Sequence, residues 1–385
     1  MTNKGIALVI LSILLSSLQL GCVSAPAKQV EIFWPPYPEE PRIAYVQGIQ
    51  GTWDTQESSF LDTLLGGSGG SLFFQKPYGI SALGDKIYVA NSTGNSVTIL
   101  DRKLNKVASL TSTDETDLRV PIGVAVTADG RVFVSDILLG RVFVFNAEGA
   151  YQLTIGAKGE MIKPAGLAVN SGLGRVYISD SKLGVVHVYS LDGKRLFSFA
   201  KEGEGDGELH NPTNIAIDRT NDNIIVTDTS NFRIQIFDKE GRFLRKFGEL
   251  GDVPGTFSRP KGVGIDSDGN IYVVDTAFNN VQIYSNEGVL LTFLGGPGNN
   301  PGYFSLPAGL YVDGDDRIYV TEQINNRVQI FQYLSTKWKK EHPDAYAKYV
   351  KRSADLAEQA ELQAKERRER AEKKKINKEQ QSSEK

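Results

Sequence analysis

The chain has 385 residues, 40% of them apolar, enough for a large core, with 43 Lys/Arg against 46 Asp/Glu and a formal net charge of −3. The charge is unevenly spread: from Lys337 onward there are 15 basic against 10 acidic groups, which leaves residues 1–336 at a net −8. An acidic body repels phosphate, which argues against a nucleic-acid partner, and a single cysteine excludes an internal disulfide.

The N-terminus carries Lys4 and an apolar run from Ile6 to Leu20, then Gly21 and Cys22. This order predicts a secretory signal over residues 1–22, its apolar core of about 15 residues too short to favour a spanning helix. The junction Leu18-Gln19-Leu20-Gly21-Cys22 resembles a bacterial lipobox, with Gln19 where that motif usually has Leu. The resemblance implies that Cys22 is lipidated and anchors the exported protein to a membrane. Val23 follows, without the Asp that resembles an inner-membrane retention signal, which points to the outer membrane.

Residues 23–41 form a tether with prolines at 35, 36, 38 and 41. Such a segment is extended and stiff, suited either to lift a domain off a membrane or to lie on it as a strap that buries Phe33, Trp34 and Tyr37. Next comes a strand-like run, Arg42 to Ile49, and then an insertion over 51–71 holding the glycine-rich 66–70.

From residue 72 the sequence repeats. Pro77, Pro121, Pro164, Pro212, Pro260 and Pro307 mark six copies at steps of 44, 43, 48, 48 and 47 residues. The fourth, Asn211 to Gly248, shows the template: a P-x-G/N start, a short apolar run, a polar turn, a second run ending in Asp, an Asn-rich loop, R-I-Q-I-F, a turn with Glu240-Gly241, and a last run. Runs of four to seven β-branched and aromatic residues between Gly, Asn and Asp read as strands, and four of them at a period in the forties predict a propeller blade.

The segments Gly255-Thr-Phe-Ser-Arg-Pro-Lys-Gly-Val263, Asp268-Gly-Asn-Ile-Tyr-Val-Val-Asp-Thr276 and Asn325-Asn-Arg-Val-Gln-Ile-Phe331 resemble the NHL repeat. The first three copies are degenerate, with Ser92-Thr93-Gly94 and Ile137-Leu138-Leu139-Gly140 in place of the Asn-rich loop. The resemblance implies an all-β, six-bladed propeller over residues 42–334, and it specifies a fold more than an activity.

Five copies are followed by a fourth-strand candidate, the last beginning at Val289, while the sixth copy runs into Tyr333 and a charged tail. The unmatched run at 42–49 is therefore expected to complete the sixth blade, closing the ring and removing an exposed edge. Four antiparallel strands per blade put the fourth-to-first and second-to-third connections on one face. That loop-rich face is the expected binding surface. Its candidates are Tyr78, Ile122, Thr213 and Lys261 at P-x-G positions, and Ile137, Leu138, Leu139, Lys182, Leu183, Asn231, Phe232, Arg233, Phe278, Asn279 and Arg327 on second-to-third loops. The opposite face has tight turns such as Asp129-Gly130 and Asp268-Gly269, suited to hairpins and little else.

The acidic residue ending each second run, Asp136, Asp180, Asp228, Asp275 and Glu322, is read as a repeat-maintaining acceptor for its own loop or for an Arg five residues on, rather than as a metal ligand or catalytic acid. NHL-like lyases bind zinc with histidines from different blades. Here His187, His210 and His342 are the only three, spread over a third strand, a loop and the tail, so no metal, cofactor or zinc chemistry is expected. The aliphatic tract Ile137-Leu138-Leu139 is either covered by the chain's own ends or offered to a partner.

Residues 335–385 read as a charged helical tail with Glu361–Lys365, Glu366–Arg370 and Glu369–Lys373 at favourable spacing and no apolar stripe beyond Leu362, running into a disordered end. Tyr346, Tyr349, Val350 and Leu356 are the positions able to dock it. Together these features predict an exported, lipid-anchored, monomeric propeller that is not an enzyme and binds an envelope or secreted protein. The alternatives are a small ligand or glycan at the central opening, or a lyase or hydrolase.

Overall fold

In the computed structural model, residues 30–51 and 72–383 are described, with side chains as far as Lys374. The expected signal, Cys22 and the glycine-rich 66–70 lie outside the described residues. The chain divides into Met1–Glu31 and Ile32–Lys385, and the elements below belong to the second.

Six antiparallel sheets, five of four strands and one of five, follow one another along the chain. The fourth is typical: Pro212–Ile217, Ile224–Asp228, Arg233–Phe237 and Phe243–Phe247 pair in sequence order. The second and third strands are buried along their whole length, which is why they read as continuous apolar runs, while the fourth alternates half-buried and exposed at the rim. The innermost first strands touch in cyclic order, blade six returning to blade one.

Ring closure is as the strand count predicts. Ile43–Ile49 pairs antiparallel with the third strand of blade six, Arg327–Tyr333, from Ile43 opposite Tyr333 to Ile49 opposite Val328. The sheet extends one strand further than the 42–334 boundary, because Phe33–Trp34 pairs with Ala44 and Ile43 and supplies a fifth strand. Phe33 is buried and Trp34 lies edge-on to Phe331, with ring centroids 5.7 Å apart, whereas Tyr37 is exposed. This part of the proline-rich stretch is a strap on the last blade.

In each first strand the register breaks just after the repeat proline. The glycine of P-x-G sits there for a steric reason. A Cβ on Gly309 would lie 1.9 Å from the Tyr78 carbonyl oxygen, and one on Gly79 2.3 Å from that of Ile122. The innermost main chains of neighbouring blades therefore meet at this level only because no side chain intervenes.

Ser335 caps α1 (Thr336–Glu341), accepting from Trp338 N–H, and α2 (Pro343–Ser383) follows. Tyr349 packs on Phe33 at 5.5 Å and Trp338 at 5.8 Å, and Ser353 is buried; from Glu358 to Lys374 the helix is exposed. No described helix is long and apolar enough to cross a membrane.

Candidate functional site

The repeat carboxylates sit at the ends of the second strands and are fully engaged. Asp136 accepts from the main-chain N–H groups of Arg119 (2.6 Å) and Val120, and from those of Leu138 and Leu139 in its own loop. Asp180 and Asp275 repeat the pattern. In blades four and six a guanidinium takes part: Arg233 Nε donates to Asp228 at 2.8 Å and Arg327 Nε to Glu322 at 2.5 Å. Each Arg also donates to carbonyl groups of the incoming connection, Glu204, Gly205 and Glu208 for Arg233 and Asn299 and Tyr303 for Arg327. These carboxylates tie two loops of one face together, and their lone pairs are spent on that.

The loop-face candidates then separate by burial. Arg233, Arg327, Thr213 and Ile122 are buried and offer no surface to a partner, since the first two span the carboxylate network and the main-chain carbonyls of the other two abut the glycine of the neighbouring blade. Asn231 donates to Asp228 and the Gly203 carbonyl, Asn279 accepts from Leu306 N–H, and Phe232 packs on the core of blades four and five. Phe278 and Ile137 are half-buried, and Leu139 packs against the core of blades one and two. Lys182 is exposed. So are three aliphatic side chains on the second-to-third loops of blades two, three and six: Leu138 (69% exposed) and Ile324 (64%), each two residues past the repeat carboxylate, and Leu183 (37%), three past it. Ile162, Leu250 and Val253, on fourth-to-first connections of the same face, are exposed as well.

At the axial end of this face Lys261 Nζ lies 4.9 Å above the centre of the Tyr78 ring, with Arg259 close to both. Burial, relieved in part by the Arg259 charge, pushes the Tyr78 hydroxyl up to about 12; burial and then the Arg259 charge push the Lys261 ammonium down to about 8.

The axis is hollow beyond the glycine ring. A cavity of about 480 Å³ is lined by the first strands of five blades and part of the sixth, from Gly79, Gly123, Gly166 and Gly309 to Leu83, Val126, Asn170, Ile217 and Val312, and it stops short of Tyr78 and Lys261. Its mouth therefore opens among the first-to-second-strand turns, the face read from sequence as hairpins and little else. That expectation is corrected here. Glycines let the main chains meet at the loop end, and the side chains that follow them hold the strands apart towards the other. Across the mouth, Arg219 of blade four reaches blade six, donating to the Val312 carbonyl at 2.5 Å and the Asp313 carbonyl at 3.1 Å, with Tyr311 under its guanidinium. Asn170 donates to Asp222 at 2.7 Å beside it. Asn214, where the repeat otherwise has glycine, lines the cavity with a buried amide nitrogen that has no partner among the described residues.

Comparison with known proteins agrees with this geometry. A family model described as a 6-bladed beta-propeller matches residues 219–291. The chain is a six-bladed β-propeller. Among solved structures, the propeller superposes on a protein of unknown function from Bacteroides thetaiotaomicron with a TM-score of 0.57 at 18% identity, covering 68% of this chain and 70% of that one. It also resembles a streptogramin B lyase, with a TM-score of 0.52 at 13% identity over 68% of this chain and 95% of the other. A catalytically inactive virginiamycin B lyase from Staphylococcus aureus with quinupristin gives 0.51 at 16% identity, over 68% and 81%. At such identities the likeness speaks for the fold alone. No curated protein matches the sequence.

The histidines of the propeller and its tail lie apart. His187 is buried between Ser198 (3.1 Å) and Asp180 (3.8 Å), His210 is exposed on the loop face, and His342 stacks on Trp338. Among the described residues no three His, Cys, Asp or Glu side chains are placed to share a metal ion. Sequence reading missed the hydroxyls that latch one blade to the next: Thr321 Oγ1 donates to the Tyr78 carbonyl at 2.8 Å, Thr276 to Pro307 and Thr229 to Pro260. Their signal was present, since each flanks the repeat carboxylate within two residues. Arg219 had no such signal.

Proposed function

We propose that this propeller is an exported, lipid-anchored scaffold that binds a protein of the cell envelope through its loop face. The observation that carries the reading is the set of exposed aliphatic side chains, Leu138, Leu183 and Ile324, borne by the second-to-third loops of three blades on one face. Scattered exposed apolar residues are ordinary on a surface, but a set gathered on the loops of one face, beside Ile162, Leu250 and Val253, fits burial against a partner. The spent carboxylates support binding rather than chemistry on this face. The signal-like start and the Gly21-Cys22 junction support export and anchorage at the outer membrane.

The test uses the tagged full-length chain in its host. Capture from detergent-solubilised membranes is expected to recover one protein in stoichiometric amount. Replacing Leu138, Leu183 and Ile324 together by Asp should cut that recovery about tenfold or more with the melting temperature unchanged. A Cys22→Ser chain should move from the membrane to the soluble fraction. Equal recovery by the triple variant refutes the surface, and unchanged fractionation refutes the anchor.

A second reading rests on the axial cavity. Its volume of about 480 Å³ lies within the range of small-molecule sites, and the unpartnered amide of Asn214 gives it one directed polar group. A small neutral ligand entering from the turn face fits it.

A further inference from the structure

The loop-face end of the axis carries charge of the opposite sign to the body around it. In the six copies, the residue before the repeat proline is Lys76, Val120, Lys163, Asn211, Arg259 and Leu306, and the residue after it is Tyr78, Ile122, Ala165, Thr213, Lys261 and Ala308. Four of these twelve positions are cationic and none is acidic, although residues 1–336 are net negative. The repeat carboxylates of this face accept from main-chain amides and guanidinium groups, and among the described residues none forms an ion pair with a rim cation.

Within the rim, Lys261 and Tyr78 of blades five and one meet, with the exposed Arg259 in the same connection. Lys261 Nζ sits over the face of Tyr78, and Arg259 is near enough to act on both. No carboxylate among the described residues acts on the Lys261 ammonium or the Tyr78 hydroxyl, and neither the Lys261 amine, the Arg259 guanidinium nor that hydroxyl has a protein acceptor there. A half-buried ammonium beside a second cation, with no counter-charge, is an arrangement that folding alone disfavours. An ion pair to Asp or Glu would have been the stable choice.

We propose that Lys261, Arg259 and Tyr78 form a binding site for an oxyanion, a carboxylate or phosphate group of a small ligand, at the loop-face end of the propeller axis. The site is independent of the aliphatic surface assigned to a protein partner, because it lies at the axis and uses none of those side chains. Lys261 supplies the desolvated charge, Arg259 a planar fork suited to two oxygens, and the Tyr78 hydroxyl a neutral donor.

The test is a calorimetric titration of the soluble full-length Cys22→Ser protein with pyrophosphate and, separately, with citrate, at low ionic strength. Saturable binding of at least one is expected, and which one binds tells phosphate from carboxylate. Lys261→Met and Arg259→Gln should each weaken it about tenfold or more, and Tyr78→Phe by about threefold, while Lys239→Gln on the opposite face leaves it unchanged. Lys261→Met should melt within about 2 °C of the parent or above it, since it removes a half-buried charge that has no counter-ion. No saturable binding of either anion, or equal binding by the Lys261→Met, Arg259→Gln and Lys239→Gln proteins, overturns the proposal.

Discussion

Asp266 follows the first strand of blade five and accepts four hydrogen bonds, from the main-chain N–H of Asp268 and of Asn270, from Asn270 Nδ2 at 2.8 Å and from the Tyr272 hydroxyl at 2.8 Å. Burial outweighs them, and with the nearby Asp316 charge it pushes the carboxyl up to about 6. A folded value above the unfolded one means that the folded chain holds the proton more tightly. The stabilisation is therefore complete in acid and is lost as the pH rises through about 6. Asp266→Asn removes the titration, so the stability of the wild type relative to that variant should rise by about 1 kcal/mol between pH 7 and pH 5. Urea melts of both proteins at the two pH values measure it, and a difference that does not change with pH refutes it. At this scale the sequence speaks about neighbours along the chain. Asp228 and Arg233 lie five residues apart across one tight loop, close enough for spacing to suggest their bond. The charge on Asp316, fifty residues beyond Asp266 and one blade away, leaves no mark on the local pattern.

Blade six is the element on which the ring depends, because its strands come from both ends of the chain. Ile43 is almost fully buried and shares a cluster with Phe331, Phe304 and Leu310. Ile43→Asp would place a carboxylate without a partner in that cluster and loosen the strand that closes the ring, at a cost of about 3 kcal/mol or more. Leu244→Asp, on the half-exposed fourth strand of blade four, should cost under about 0.5 kcal/mol. Thermal melts of the two variants make the comparison, and an Ile43→Asp protein that melts with the wild type would mean that the early strand does not hold the ring. The closing strand is legible because its run of β-type residues has no partner copy and one blade lacks a member. Phe33–Trp34 is not, since the prolines that follow hide a strand of two residues. What fixes it is tertiary: Trp34 fills the space beside Gly302, where a Cβ would lie 2.8 Å from the indole.

At the scale of the whole molecule, topology fixes which loops share a face, and that much follows from counting strands. Where the axis opens does not, because it depends on the tilt and side-chain bulk of six first strands together. The same limit applies to the tail. Its charge pattern predicts a helix, but only the fold shows that Trp338 and Tyr349 stack at an interplanar angle of 2° and that Tyr349 covers Phe33 of the strap. The helix thus contributes in two unequal parts. Of the described side chains, removal of residues 359–385 takes away only exposed ones, and it should leave the melting temperature within about 1 °C of the full chain. Removal from Thr336 onward uncovers Phe33 and loses the packing on the last blade, and should lower it by about 3 °C or more. If the shorter truncation destabilises the propeller as much as the longer one, the distal helix packs on it after all, and the division at Glu358 is wrong.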